Sequence, residues 1–366
     1  MPANLFNSFL GNSKIVTALR QMLAEDRLPQ TLLFAGPEGV GKATLARFLA
    51  AAMHCRGAEP RVEPPCGDCP ACRRVVAADL SLPEYQKLLE ERAKASAEKR
   101  REAPLVVSTH PDFLTFPPDG PLAQISIEQV RAIKEFAQFP PVEGRRRLFL
   151  VDRADRIDSA AANSLLKTLE EPPPYLTLVL TAENAFGLLP TIRSRCVPFN
   201  FGPLSGEEMN RFLAGRTDID PAARVKLAAW AQGRPGCALR IDVAAYERRR
   251  QAMLSLLRTA SGQPFGELIR YSEGIGRSKT EPLGLLLDSL YTLLADLLHI
   301  QQGTGRLVNE DIRAELASVA RKVDFQWIAK AVRQIDELEG LERRNIQKQI
   351  ALEALSVSLR RPRAAL

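Results

Sequence analysis

The first part of the chain alternates between short, wholly apolar runs and longer stretches whose apolar residues recur three or four positions apart. Runs such as Leu32-Leu33-Phe34 and Leu148-Phe149-Leu150-Val151 are typical of strands buried on both faces, as in a parallel sheet. The longer stretches, at residues 13–25, 42–54 and 159–171, have the helical period. Strands that alternate with helices predict an α/β fold with a doubly wound parallel sheet.

Beyond residue 203 the strand pattern ends and helical periodicity continues almost alone. Its clearest stretches are residues 285–298 and 346–359. We therefore predict an α/β domain at 1–203, a small helical lid at 204–245 and an all-α domain at 246–366.

A glycine-rich turn joins the first apolar run to its helix and reads Gly36-Pro37-Glu38-Gly39-Val40-Gly41-Lys42. Strand, glycine turn and helix form the setting of a phosphate-binding loop, whose backbone N–H groups point at an anion. A plain turn would not require a lysine at this place. We therefore assign Gly36, Gly39, Gly41 and Lys42 to a candidate nucleotide site, which makes ATP with Mg²⁺ a candidate ligand.

The residues around this loop depart from those of a hydrolysing enzyme. Ala43 stands where the pattern has a Ser or Thr whose hydroxyl binds Mg²⁺. Thr44 is kept among the nucleotide-site candidates, although one step along a helix turns a side chain by about 100°. Asp152 and Thr181, each at the end of an apolar run, complete the candidate site. Arg153 follows where such enzymes have a glutamate base, and it cannot accept a proton.

Four cysteines, Cys55, Cys66, Cys69 and Cys72, have the spacing C-x10-C-x2-C-x2-C. Two intervening residues let successive thiolates turn back on one ion, and four sulfurs make a closed structural zinc site. A redox C-x-x-C pair is an alternative, but it would leave Cys55 unexplained. We predict one structural Zn²⁺ at these four residues.

Bulk composition sets the expected surroundings. The chain has 366 residues, with 45% hydrophobic and 25% charged residues, as in ordinary soluble proteins. We expect neither a membrane span, since no run of about 18 apolar residues occurs, nor a signal peptide, and therefore a cytoplasmic protein with reduced cysteines. The net charge of +7 permits a nucleic-acid partner without requiring one. The charge-dense stretch at 79–103 indicates an exposed helical insertion or partial disorder. A basic arm that binds nucleic acid is the alternative, but acidic and basic residues are mixed here, which favours a solvated face.

Several segments together resemble the bacterial clamp-loader subunits of DNA polymerase III, which belong to the AAA+ class. They read LFAGPEGVGKATLA, CGDCPAC, THPDF, AAANSLLKTLEEPP and LLPTIRSRC. The resemblance covers residues 6–240 and implies an AAA+ module with an inserted zinc knuckle, a helical lid and a C-terminal collar that joins subunits into a ring. It also implies ATPase subunits of the gamma/tau type and a delta subunit as partners, with the sliding clamp and primed DNA reached through the complex.

The same resemblance implies roles for single residues. Ala43, Arg153 and Gly236 depart from the ATPase subunits, and Gly236 stands where those subunits carry a phosphate-sensing arginine. Arg195, in Ser194-Arg195-Cys196, matches the arginine that faces the nucleotide of a neighbouring subunit. The implied function is a subunit that hydrolyses ATP negligibly and donates Arg195 in trans. A local salt bridge is the alternative role for Arg195, and it is the weaker one because Ser194-Arg195-Cys196 matches the family as a unit.

Two other functions are kept as alternatives. One is an active ATPase subunit of the gamma/tau type, which the residues at 43 and 153 disfavour. The other is a zinc-dependent DNA-binding regulator. It is disfavoured because the chain has a single cysteine knuckle and because the ATPase pattern is stronger.

Overall fold

The computed structural model describes residues 4–57, 63–262, 282–342 and 347–360. It divides into two compact units. One is formed by Met1–Arg216 with Gly233–Cys237, and the second by Thr217–Gln232 with Ala238–Leu366. The three domains expected from the sequence have other boundaries, and that division stays a prediction.

One six-stranded sheet forms the centre of the first unit. Its strands are β1 Thr31–Ala35, β2 Val107–His110, β3 Phe113–Phe116, β4 Arg147–Val151, β5 Leu176–Ala182 and β6 Val197–Asn200. They lie in the order β2-β3-β4-β5-β1-β6. All neighbours are parallel except β2, which runs antiparallel to β3 at one edge. The predicted parallel sheet is confirmed, with the antiparallel edge strand as a correction.

The helices of the described residues follow in chain order. They are α1 Leu5–Ser8, α2 Ser13–Ala24, α3 Lys42–His54, α4 Pro70–Ala77, α5 Pro83–Lys94, α6 Ala97–Glu102, α7 Ile127–Ala137, α8 Ser159–Glu170, α9 Pro190–Arg193, α10 Gly206–Ala214, α11 Pro221–Trp230, α12 Pro235–Ala238, α13 Val243–Ala260, α14 Leu283–Gln302, α15 Arg313–Ala320, α16 Phe325–Glu342 and α17 Lys348–Leu359. The helices predicted at 13–25, 42–54 and 159–171 are confirmed as α2, α3 and α8. The predicted stretch 346–359 begins outside the described residues and otherwise forms α17.

Alternate residues of each strand enter two different cores, because side chains of a strand point to opposite faces. In β1, Leu32 and Phe34 pack with α3 and α4, whereas Leu33 and Ala35 pack with α7, α8 and α9. Burial on both faces explains why the strand sequences are continuously apolar. Strands β2 and β3 were not predicted, because each has only four residues and Pro111-Asp112 interrupts the pattern between them.

The charged insertion at 79–103 forms α5 and α6, which confirms the helical alternative. Leu88 and Leu89 of α5 pack at the edge of the core that contains α3. Arg92 of α5 forms an ion pair with Asp119, and both side chains are largely buried. The insertion is therefore attached to the sheet domain by a hydrophobic contact and by an ion pair.

The described part of the second unit is helical, and leucines of α13, α14 and α15 form its core with residues of α16 and α17. Helix α14 is long and apolar enough to cross a membrane by length and composition alone, and 50% of its apolar window is buried inside the protein. Leu286, Leu290, Leu293 and Leu297 are fully buried on one side of it. A single helix of this kind is weak support for a membrane span, because core helices have the same composition.

Candidate functional site

The phosphate loop leaves β1 at the edge of the sheet where the parallel strands end. The N–H of Gly36 donates to the carbonyl of Ala182 in the neighbouring strand at 3.1 Å. Gly36 has a φ of +149°, and a Cβ there would lie 2.3 Å from the carbonyl oxygen of Phe201. Only glycine fits this position, since another residue would meet backbone as well as strain.

Lys42, the first residue of α3, points back into its own loop. Its Nζ donates to the carbonyl oxygens of Gly36 and Pro37, the latter at 2.8 Å. Burial lowers the pKa of Lys42, and the nearby carboxylate of Asp152 opposes that shift. The ammonium group of Lys42 is therefore hydrogen-bonded to carbonyls of its own loop, and its role as a phosphate-binding residue stays a prediction.

The segment around Gly236 lies directly on the phosphate loop. The N–H of Gly236 donates to the carbonyl of Gly39 at 2.8 Å, and the thiol of Cys237 donates to the carbonyl of Glu38 at 3.6 Å. A Cβ at Gly236 would come within 3.1 Å of the Gly39 backbone. A side chain at residue 236 would therefore crowd the phosphate loop, so a glycine allows this close contact.

Asp152 and Thr181 meet beside the loop, as expected from their places at the ends of β4 and β5. The hydroxyl of Thr181 donates to Oδ1 of Asp152 at 2.6 Å and accepts the N–H of Arg153 at 2.8 Å. Arg153 has a φ of +54°, and its guanidinium lies 3.4 Å from the carboxylate of Glu183. The residue that follows Asp152 is therefore a cation paired with Glu183.

Thr44 has a different environment from the rest of the candidate site. Its Oγ1 accepts a hydrogen bond from Arg47 at 3.3 Å, and Arg47 also forms an ion pair with Asp79 at 2.7 Å. The Thr44 hydroxyl is thus engaged by a buried arginine one turn along α3. Its assignment to the nucleotide site stays a prediction.

The four cysteines lie together where α3 ends and α4 begins, with Cys55 directly after α3 and Cys72 inside α4. Their sulfur atoms are all within 4.8 Å of one another, and the sulfurs of Cys66 and Cys72 are 4.0 Å apart. Zinc–sulfur bonds of about 2.3 Å in a tetrahedron require sulfurs about 3.8 Å apart. The N–H groups of Cys66, Cys69 and Cys72 point at the sulfurs of Cys55, Cys66 and Cys69 at 3.4–3.5 Å. This donor set and spacing fit Zn²⁺.

The thiols of this cluster differ in acidity. Burial raises the pKa of Cys55 and of Cys72. Burial also acts to raise the pKa of Cys69, but the N–H groups of Cys72 and Arg56 outweigh it and lower that pKa to about 7. Cys69 is thus the thiol that ionises most readily of these three.

A second group of metal-ligand side chains, which was not predicted, lies next to the cysteines. His54 and His110 stack with ring centres 4.5 Å apart beside the fully buried Asp112. The Asp112 carboxylate accepts N–H groups from each residue of the 142–144 loop at 2.7–3.0 Å. His110 Nδ1 accepts the N–H of Asp112 at 3.2 Å, which assigns the proton of the neutral ring to Nε2.

These bonds account for the Asp112 carboxylate. Among the described residues, both ring nitrogens of His54 and Nε2 of His110 are buried and have no hydrogen-bond partner. Asp112 anchors a loop, and burial lowers the pKa of His54 to about 4, so that its ring is neutral. The sequence signal that could have indicated this group is the THPDF segment, of which His110 and Asp112 are part.

Arg195 lies just beyond α9, on the exposed side of the sheet domain. Its NH1 donates to the carbonyl of Thr191 at 2.8 Å, and its NH2 forms an ion pair with Glu170 at 2.5 Å. Arg193, two residues earlier, instead lies over the ring of Phe186 at 4.6 Å. The local salt bridge considered for Arg195 is therefore present, and 34% of its side chain is still accessible to solvent.

Two family models match the chain. The model described as DNA polymerase III, delta subunit, matches residues 11–205, and that described as DNA polymerase III, delta subunit, C terminal, matches residues 248–358. The chain belongs to this family of DNA polymerase III clamp-loader subunits. The family accounts for the α/β unit with its phosphate loop and for the helical C-terminal region.

Relatives in the family carry two different names. DNA polymerase III subunit tau/gamma of Haemophilus influenzae is 30% identical over 233 residues, which are 62% of this chain and 29% of the relative. DNA polymerase III subunit delta' of Pseudomonas aeruginosa is 28% identical over 337 residues, 89% of this chain and 90% of the relative. The chain thus spans less than a third of the first relative and nearly all of the second.

Among solved structures, a DNA polymerase III gamma subunit-related protein of Thermotoga maritima matches with a TM-score of 0.43 at 16% identity. That match covers 94% of this chain and 98% of the other. A likeness of this degree establishes neither a shared fold nor a shared activity.

Proposed function

We propose that the chain is a delta-prime-type clamp-loader subunit, of the AAA+ class, that hydrolyses ATP negligibly and donates Arg195 to a neighbouring ATPase subunit. The observation that carries this proposal is the arrangement at the end of β4. There Asp152 and Thr181 are in contact, but the next residue is the cation Arg153, which is paired with Glu183.

The residues of the phosphate loop are poorly suited to hydrolysing ATP. Lys42 and the loop N–H groups suit a phosphate, but Ala43 supplies no hydroxyl for Mg²⁺. Arg153 cannot take the proton of an attacking water. We infer that the loop binds a nucleotide weakly or does not hydrolyse it. ATP and Mg²⁺ would then bind mainly to the neighbouring subunits.

Arg195 supplies the chemistry that the proposal assigns to this chain. A guanidinium has a permanent charge and five N–H donors in a planar fork. Placed at the γ-phosphate of a neighbouring ATP, it would stabilise the charge that develops in phosphoryl transfer. Arginines that act in this way contribute about 10³–10⁵ in rate.

The experiment compares arginine variants in the complex reconstituted with its ATPase and delta subunits. Arg195→Ala should assemble normally and remove one site's share of DNA-stimulated ATP hydrolysis, visible as a missing amplitude in single-turnover experiments. Arg195→Lys should recover little, since lysine lacks the planar fork. Arg193→Ala is the matched control and should retain the wild-type amplitude, because Arg193 contacts Phe186 instead.

If the assembled Arg195→Ala complex shows the full amplitude of single-turnover ATP hydrolysis, the proposal is contradicted. The role of Arg195 would then be limited to its salt bridge with Glu170. The second candidate function is an active gamma/tau-type ATPase, which the tau/gamma relative at 30% identity favours. Steady-state ATP turnover by the isolated chain, well above that of a Lys42→Ala variant, would support this second candidate.

The proposed partners and location follow from the same function. We place the chain in the cytoplasm, in a ring with gamma/tau-type ATPase subunits and a delta subunit, which acts on the sliding clamp at primed DNA. Pull-down of the purified chain with each of these subunits tests the partner assignment directly.

We also propose that Cys55, Cys66, Cys69 and Cys72 hold one structural Zn²⁺. Metal analysis should give one equivalent, and Cys69→Ala should lose it and lower the melting temperature. Cys237→Ala is a matched control outside the cluster and should retain the metal. A metal-free native chain, with an unchanged melting temperature after all four cysteines are replaced, would rule the site out.

A further inference from the structure

The contacts of Arg195 come from two different elements. Glu170 is the last residue of α8, and its Oε1 lies 2.5 Å from NH2 of Arg195. Thr191 belongs to α9, and its carbonyl accepts from NH1 of Arg195 at 2.8 Å, with the hydroxyl of Ser194 at 3.4 Å. The two terminal nitrogens of the guanidinium are thus both bonded. These bonds restrain the orientation of a long side chain that would rotate freely without them.

The position of Glu170 is unfavourable for its own helix. Carboxylates near a helix C-terminus interact badly with the helix dipole, and α8 ends with Glu170 followed by Glu171. In the described ranges, Glu170 has the ion pair with Arg195, whereas none joins Glu171. Helix stability therefore does not explain a carboxylate at 170, and its contact with Arg195 does.

We propose that Glu170 is a positioning residue that orients Arg195 for its action on the neighbouring subunit's nucleotide, an inference that rests on the function proposed above. The three contacts leave further N–H donors of the guanidinium for a phosphate, because the group has five. An arginine already held in place loses less side-chain freedom when the neighbour docks, so that less of the binding free energy is spent on ordering it.

The effect should be modest, since both side chains are partly exposed. Exposed ion pairs have small coupling energies, which correspond to about a two- to fivefold change in rate. The loss expected for Glu170→Gln is therefore far smaller than that for Arg195→Ala. A positioning role also predicts that the loss disappears once Arg195 is absent.

The experiment is a double-mutant cycle in the reconstituted complex, with Glu171→Gln as the matched control. Glu170→Gln should lower the single-turnover rate constant of the affected site about two- to fivefold, with an unchanged KM for ATP. Glu171→Gln should retain the wild-type rate. In the Arg195→Ala background, Glu170→Gln should have no further effect. Neither glutamine variant should lower the melting temperature, since each removes a charge that disfavours the helix end.

The outcomes separate this inference from the function on which it rests. If Arg195→Ala itself retains full activity, the trans-acting function fails. If Arg195→Ala is defective while Glu170→Gln has the wild-type rate, is faster, or slows the Arg195→Ala complex further, only the positioning role is overturned.

Discussion

The phosphate loop and the Arg195 segment stand in contrast within one sheet domain. In the loop, Lys42 donates to the carbonyl of Gly36, and the N–H of Gly236 donates to that of Gly39. Three loop carbonyls, those of Gly36, Pro37 and Gly39, thus accept hydrogen bonds from the chain itself. Arg195 is held by surface contacts alone, and a third of its side chain is accessible. Under the proposed function, the phosphate loop serves as a packing element and the reactive group is Arg195.

The largest expected effect is on the rate of ATP hydrolysis, when substitution of Lys42 in the phosphate loop is compared with substitution of Arg195. Lys42→Met keeps the buried stem and removes the charge, and we expect single-turnover hydrolysis by the complex to stay within about twofold of wild type. Arg195→Ala should slow the neighbouring site by about 10³–10⁵. A Lys42→Met complex that assembles but loses as much activity as Arg195→Ala would show that this loop acts in hydrolysis.

A second test concerns the loop as a packing element. Gly36→Ala would place a Cβ 2.3 Å from the Phe201 carbonyl at a φ of +149°. Backbone strain and overpacking should together reduce the free energy of unfolding by about 2–4 kcal/mol. Gly202→Ala is the control, because a Cβ there meets nothing within 4 Å. Equal urea unfolding curves for the two variants would contradict the packing role.

The smallest expected effect is a gain. Ala43→Thr with Arg153→Glu restores the metal hydroxyl and a candidate base, and we expect only a slight rise in ATP turnover by the isolated chain. Gly236 packs against Gly39 and brings no phosphate-sensing side chain to the loop. If the double variant hydrolysed ATP as fast as an ATPase subunit, the residues at positions 43 and 153 alone would account for the lack of turnover at the phosphate loop.

Features within one short stretch were predictable from the sequence. The phosphate loop needs a strand, glycines and a helix in succession, and the cysteine cluster depends on spacing along one segment. The strands with continuous apolar runs, such as β4 and β5, were also recognised. Strands β2 and β3 were not, because four residues give too few positions for a period. Their burial depends on the neighbouring strand β4 and on the helices that pack against the sheet.

By itself, the sequence determined the residue types that a site contains or lacks, such as Ala43 after the lysine and Arg153 after Asp152. Contacts between distant segments were decided only in the tertiary structure. Examples are Gly236 on Gly39, His54 stacked on His110, and Glu170 at Arg195. The physical reason is that local patterns report the period and the chemistry of neighbouring residues. Which side chains meet across the fold depends on how the strands are ordered and where each helix ends.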